Sequence, residues 1–259
     1  MTPRLIIRDL SVRYAGSETA ALDGISLDLA AGERLAVIGE SGSGKSTLAL
    51  AIAGLLPGSA LVAGRIEWPG LGRPPVAGAD IGFVFQDPGA SLDPVMPVGA
   101  QIAEVIRAHR PLGRAAANAT AVDLIARVQL PEPGQIALAY PHQLSGGQRQ
   151  RIAIAAAIAA GPKLLIADEP TSALDTIVQA EIVALIDRLV QADGMSLIFI
   201  SHDIALASGI ADRIAVFRRG RLVELGERDQ IIGQPRDAYT RALLDASMPA
   251  TPQSAGAPA

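Results

Sequence analysis

At 259 residues, 49% of them hydrophobic, the chain can bury a full core as one large α/β domain, with or without an insertion, and does not read as two equal halves. It has no cysteine, its longest uncharged apolar run (Ile152 to Ala160) is too short to cross a bilayer, and the N-terminus lacks a signal-peptide core; a cytoplasmic chain without disulfides or transmembrane helices is expected. A formal net charge of −4 argues against a nucleic-acid partner held by phosphate neutralisation.

In chain order, Leu5 to Leu29 alternates short apolar runs with polar turns, which suggests antiparallel strands. Arg34 to Gly39 ("RLAVIG") is a compact apolar run ending in a glycine turn, the pattern of a buried parallel strand, and a helix is expected through "STLALAIAGLL". Pro57 to Asp80 reads as loops around a short strand. "IGFVFQ" is a further strand. From Pro88 the apolar spacing turns helical, at Ile102, Val105 and Ile106 and again at Ala121, Leu124, Ile125 and Val128. This predicts a helical insertion over about 88–160, closed by "GPK". Strands resume at "LLIAD", "SLIFI", "RIAVF" and "RLVEL", with an amphipathic helix at Thr176 to Ala192, so a mainly parallel sheet with helices on its faces is expected. "FRRGRL", with Arg218, Arg219 and Arg221, reads as the solvated turn of a hairpin. The domain should occupy 1–248, and the tail 249–259 has a disordered composition.

The segment from Gly39 to Thr47, "GESGSGKST", fits G-x-x-x-x-G-K-[ST]. Through Gly39, Glu40, Ser41, Gly42, Ser43 and Gly44, backbone N–H groups would wrap phosphates; Lys45 would reach the outer ones, and Ser46 would bind Mg2+ beside Thr47. Only Lys45 and Lys163 are lysines, which makes the lysine in this turn more telling. "LLIADEP" places Asp168 and Glu169 at the end of an apolar strand, where open α/β sheets bind ligands. Asp168 would hold Mg2+ through water and Glu169 would polarise the attacking water. His202, just beyond "SLIFI", could hold that water, although a histidine there is more often structural. Gln86 could sense Mg2+ and the γ-phosphate from the lip of the same sheet. Tyr14 could stack on adenine or simply pack at a strand edge. His109 and His142 are given no catalytic role.

A second glycine turn, "LSGGQRQR", is expected to open a helix. Ser145 and Gln148 form a capping box, but Gly146 and Gly147 are each poorer helix formers than alanine by up to about 1 kcal/mol. Their reason is taken to be close approach of an outside anion to bare N–H groups at the positive end of the helix.

"LSGGQRQR", "LLIADEP", "SALD" and "ISHD", with Gln86 and the Gly39 to Thr47 turn upstream, resemble the ATP-binding subunits of ABC transporters over about Leu5 to Leu244. The resemblance implies an α/β P-loop NTPase core with an N-terminal antiparallel β subdomain and an inserted helical subdomain. It also implies two ATPs sandwiched between two subunits, with Ser145, Gly146, Gly147 and Gln148 on the partner's γ-phosphate and Asp175 crossing the interface. It supports Tyr14 as the adenine-stacking residue and catalytic parts for His202 and Gln86. "FQDPGASLDPVM" and "PRDAYTRALLDA" are similar to the dipeptide, oligopeptide and nickel importer group, although Asp93 stands where that group has asparagine. Such importers pair two ATPases, often different chains, with membrane subunits and an extracytoplasmic solute-binding protein, which places this chain on the cytoplasmic side of the cell membrane. The alternatives are a soluble ABC ATPase acting on nucleic acid or ribosomes, and a nucleotide-dependent binding module without turnover.

Overall fold

The computed structural model describes residues 3–247, the side chain of Ala90 excepted; the tail expected to be disordered, 249–259, lies outside them. Strands β1 (Pro3–Arg13) and β2 (Leu22–Ala30) pair antiparallel. β3 (Arg34–Ile38) then opens a second sheet and leads through the glycine turn into α1 (Lys45–Ala53). β4 (Leu61–Glu67) returns to the other edge of β1, giving a three-stranded antiparallel sheet in the order β2-β1-β4. α1 is shorter than its apolar pattern suggests. Gly54 adopts φ 69 and its N–H bonds back to Ala51, which ends the helix before Leu55 and Leu56.

The second sheet contains β3 with β5 (Ile81–Val84), β6 (Leu164–Asp168), β7 (Ser196–Ser201), β8 (Arg213–Arg218) and β9 (Arg221–Glu227). Its order is β5-β6-β7-β3-β8-β9, parallel throughout except for the antiparallel pair β8 and β9. Between β5 and β6 the chain is helical: α2 (Pro88–Ser91), α3 (Val98–His109), α4 (Arg114–Arg127), α5 (Pro133–Ile136) and α6 (Gly146–Ile158). α7 (Thr176–Asp193) and α8 (Ile204–Ile210) connect β6 to β7 and β7 to β8, while α9 (Arg228–Gly233) and α10 (Ala238–Ser247) follow β9.

The apolar runs form strands buried on both faces, and their period of two sorts residues into two cores. Leu35 and Val37 of β3 pack with β1, β2 and α1. Ala36 and Ile38 pack on the opposite face with α3, α4, α6, α7 and α8. β6, β7 and β8 divide in the same way. A sheet held between two layers is rigid, and the loops leaving its strand ends are correspondingly fixed. The order β5-β6-β7-β3 therefore sets Gln86, Glu169, His202 and the glycine turn side by side at the carboxyl ends of adjacent parallel strands.

Candidate functional site

The turn from Gly39 to Gly44 needs glycine at two places. Gly39 has φ 151 and a Cβ there would run into the Phe217 carbonyl, while Gly44 has φ 103 and a Cβ would lie 2.5 Å from the Ala21 carbonyl oxygen. Lys45 is 4% exposed, and its Nζ donates to the carbonyl oxygens of Gly39 (2.9 Å) and Glu40 (3.0 Å). Burial lowers its pKa from the ordinary lysine value, against the opposing pull of Glu169 and Asp168. The Ser43 hydroxyl is buried without a partner, an orphan that a phosphate oxygen arriving in the turn would satisfy. Tyr14 Oη lies 3.2 Å from Thr47 Oγ1, so the one aromatic residue expected near the base is tied to the start of α1.

Asp168, the last residue of β6, is 6% exposed and accepts a hydrogen bond from Ser46 Oγ at 3.1 Å. Burial raises its pKa above the ordinary carboxylate value, partly offset by the Ser46 bond. A hydroxyl and a carboxylate converging in this way are the hard oxygen ligands that suit Mg2+, which binds through one or two protein oxygens plus phosphate and water. Among the described residues no group of His, Asp and Glu side chains would hold a metal ion unaided.

Glu169 follows in a left-handed conformation, φ 44, pinned by its N–H to the Ile200 carbonyl of β7. Strain of this kind costs on the order of 1 kcal/mol and aims the side chain out of the strand line. Its two oxygens are divided: Oε1 lies 3.7 Å from Lys45 Nζ and Oε2 3.0 Å from His202 Nδ1. His202 is held in the tight step from β7 to α8, where Asp203 caps the helix through the N–H groups of Ala205 and Leu206. A carboxylate set between a cation and an imidazole can accept a proton while its orientation is fixed from both sides.

A cavity of about 580 Å3 collects these groups. Ser41, Gly42, Gly44, Lys45, Ser46, Thr47, Gln86, Glu169 and His202 line it, while Gly39, Glu40, Ser43 and Asp168 are covalently or by hydrogen bonds attached to its wall. Ser172 also lines it. No role was expected of this serine, although it is the first residue of "SALD". The β8–β9 turn is another addition. Arg218 and Arg219 are exposed as expected of a solvated hairpin, but Gly220 is buried and its N–H donates to the Ser43 carbonyl at 3.0 Å, so the turn buttresses the phosphate loop.

None of Ser145, Gly146, Gly147, Gln148 or Asp175 lines the cavity. Ser145 and Gln148 make the expected capping box at the start of α6, with bonds of 2.9 and 3.2 Å. Asp175 caps α7 through the Val178 N–H at 3.0 Å. For Gly147 the structure supplies a candidate reason that no local pattern carries: a Cβ would meet Val178 Cγ1 at 3.0 Å, so the Val178 side chain of α7 would have to give by a few tenths of an ångström to admit one. At Gly146 a Cβ would make only ordinary contact with Leu174.

The ABC transporter family matches residues 22–172, from β2 to just past Glu169. The chain is 44% identical to the oligopeptide transport ATP-binding protein OppD of Bacillus subtilis (strain 168), across 99% of this chain and 74% of that protein. Identity is also 44% to the peptidoglycan transport ATP-binding protein YejF of Agrobacterium fabrum; here 94% of the chain spans about half of the relative, 47%. The fold superposes with a TM-score of 0.75 and 27% identity on the dimeric ATP-binding cassette MJ0796 in a post-hydrolysis state bound to ADP and Pi, covering 86% of this chain and 98% of that one. A fold and a sequence that agree with these proteins across both sheets make the chain a member of the ABC transporter family, within which it is an ATP-binding ATPase component.

Proposed function

We propose that this chain hydrolyses ATP to drive solute import, as one of two ATPase subunits seated on the cytoplasmic side of transporter membrane subunits. The observation that carries the reading is Glu169, with Lys45 on one oxygen and His202 on the other inside the phosphate-loop cavity. Lys45 and the N–H groups of the turn would hold the phosphates, Tyr14 would stack on adenine, and Glu169 would take the proton of the attacking water, with His202 and Gln86 fixing its approach. Ser46, Asp168 and Gln86 would hold Mg2+, which supplies charge neutralisation to the phosphate oxygens when bound. Glu169→Gln should lower phosphate release by a factor of about 100 or more while ATP still binds, as read by a phosphate-release assay beside calorimetric titration. Unchanged turnover would remove Glu169 from its role; no turnover in the wild-type chain with its partners present would favour a binding module.

The second half of each site would come from another subunit, identical or different, through Ser145, Gly146, Gly147, Gln148 and Asp175. Supporting this, those residues stay outside their own chain's cavity, and the superposing cassette is dimeric. Residues 1–248 would form the ATPase domain, with 88–160 as a helical subdomain. Membrane subunits would dock near Phe85, Val95 and Leu138, exposed apolar residues around the loop that follows Gln86 and the helices beyond it. No helix among the described residues is long and apolar enough to cross a membrane, so attachment would be peripheral. The names of the relatives favour a peptide-type solute, delivered by an extracytoplasmic binding protein. Stimulation of ATPase activity in the reconstituted complex by a peptide-loaded binding protein, and not by a sugar-loaded one, would support that class.

A further inference from the structure

We propose that Tyr239, from the "PRDAYTRALLDA" segment, is a positioning residue for the phosphate loop, and that α10 is the brace that carries it. Tyr239 is 8% exposed, and its Oη accepts a hydrogen bond from the Glu40 backbone N–H at 3.2 Å, across 199 residues of sequence. The carbonyl of the same Glu40 accepts the bond from Lys45 Nζ at 3.0 Å. The tyrosine hydroxyl and the lysine ammonium are therefore joined through one residue of the phosphate loop, and displacing that residue displaces Lys45.

The hydroxyl is itself held in place. The Arg218 guanidinium lies 4.6 Å from the Tyr239 ring centroid, a cation–π contact that fixes the ring. Arg218 belongs to the hairpin whose Gly220 N–H holds the Ser43 carbonyl, so α10 and the hairpin grip the phosphate loop at two residues, Glu40 and Ser43. Behind α10, the Glu224 carboxylate of β9 accepts the N–H groups of Arg236 (2.9 Å) and Asp237 (3.1 Å). Asp237 Oδ1 accepts the Tyr239 N–H at 2.8 Å. These links are part-buried bonds of 2.8 to 3.2 Å that follow one another without a gap from β9 to Lys45. Packing alone would need the ring of Tyr239 and not its hydroxyl, which is why the Glu40 bond separates a structural residue from a positioning one.

This inference rests on the phosphate loop being the nucleotide site, and the two can fail separately. Tyr239→Phe keeps the ring, its packing and the Arg218 contact, and removes only the acceptor. With the full chain and ATP plus Mg2+ as the probe, calorimetric titration should show ATP affinity about five-fold weaker, the effect of one neutral hydrogen bond. In the ATPase assay the loss should fall on KM, with kcat changed by less than about two-fold. Amide hydrogen exchange should quicken in the peptide that covers Gly39 to Thr47 and stay unchanged in β6 and β7, at an unchanged melting temperature. Arg218→Met, which frees the ring and leaves the hydroxyl, should shift affinity in the same direction by less. Unaltered affinity and exchange in Tyr239→Phe would overturn the proposal, and so would faster exchange throughout the sheet with a lowered melting temperature. If the wild-type chain does not bind ATP, the nucleotide-site reading falls and takes this inference with it.

Discussion

Desolvation is the largest influence on Asp168 and holds its pKa above the ordinary carboxylate value. A raised folded-state pKa means that the folded chain binds this proton more tightly than the unfolded one. The stability it contributes is complete below the unfolded value and is lost as pH rises through the folded value. At pH 7, ionised Asp168 therefore destabilises the protein measured without nucleotide. Asp168→Asn should melt a few degrees higher than the wild type at pH 7, and the gap should close as pH falls through the carboxylate range, as followed by scanning calorimetry. The same variant should lose the extra stability that ATP and Mg2+ give the wild type. A variant that melts lower at pH 7 would mean that the Ser46 bond and the Lys45 charge outweigh burial. Asp168, Glu169 and Lys45 were legible in the sequence because their chemical types stand at fixed spacings from a strand end. The φ of 44 at Glu169 and the Tyr239 bond to Glu40 were not, since neither a strained backbone nor a contact across 199 residues leaves a local pattern.

At the scale of elements, the start of α6 shows what a local rule explains and where it stops. The capping box of Ser145 and Gln148 follows from residue type alone, and the structure contains it. Gly147 has two candidate reasons: Val178, whose Cγ1 would stand 3.0 Å from a Cβ at this position, and an anion arriving from outside. A double-substitution cycle separates them. Gly147→Ala gains helix propensity of about 1 kcal/mol but crowds Val178, so a lower melting temperature is expected. Adding Val178→Ala should restore it. If ATPase activity of the assembled protein stays low after stability returns, the bare N–H group matters in its own right; if activity returns too, packing on α7 was the whole reason. Strands were readable because runs such as "LLIAD" and "SLIFI" have a period of two that feeds two cores. The end of α1 was misjudged because apolar residues continue past Gly54, and only its left-handed conformation stops the helix. How β4 pairs was not readable either, since its partner β1 lies about fifty residues upstream.

At the scale of the whole molecule, one chain holds two surfaces that do not meet: a cavity with Lys45, Glu169 and His202, and a glycine turn with Ser145 outside it. If the missing half of each site comes from a second chain, two chains damaged in different halves should repair one another. Lys45→Ala spoils the phosphate loop and Ser145→Arg spoils the glycine turn. In a mixed dimer the sound loop of the second chain faces the sound turn of the first, so one of the two sites is intact. Mixing the two inactive preparations should therefore restore ATPase activity to a fraction of wild type set by the share of mixed dimers, whereas each alone stays inactive. A chain that folded its own turn over its own cavity would give no recovery at any ratio, because every copy would carry a broken site. Where the natural partner is a different chain, placing both substitutions in this chain and neither in the partner should leave no intact site. Dividing them, with Lys45→Ala here and the glycine-turn substitution in the partner, should leave one. The count of surviving sites thus reports the arrangement directly, because it depends only on which surfaces face each other and not on how fast any single site turns over.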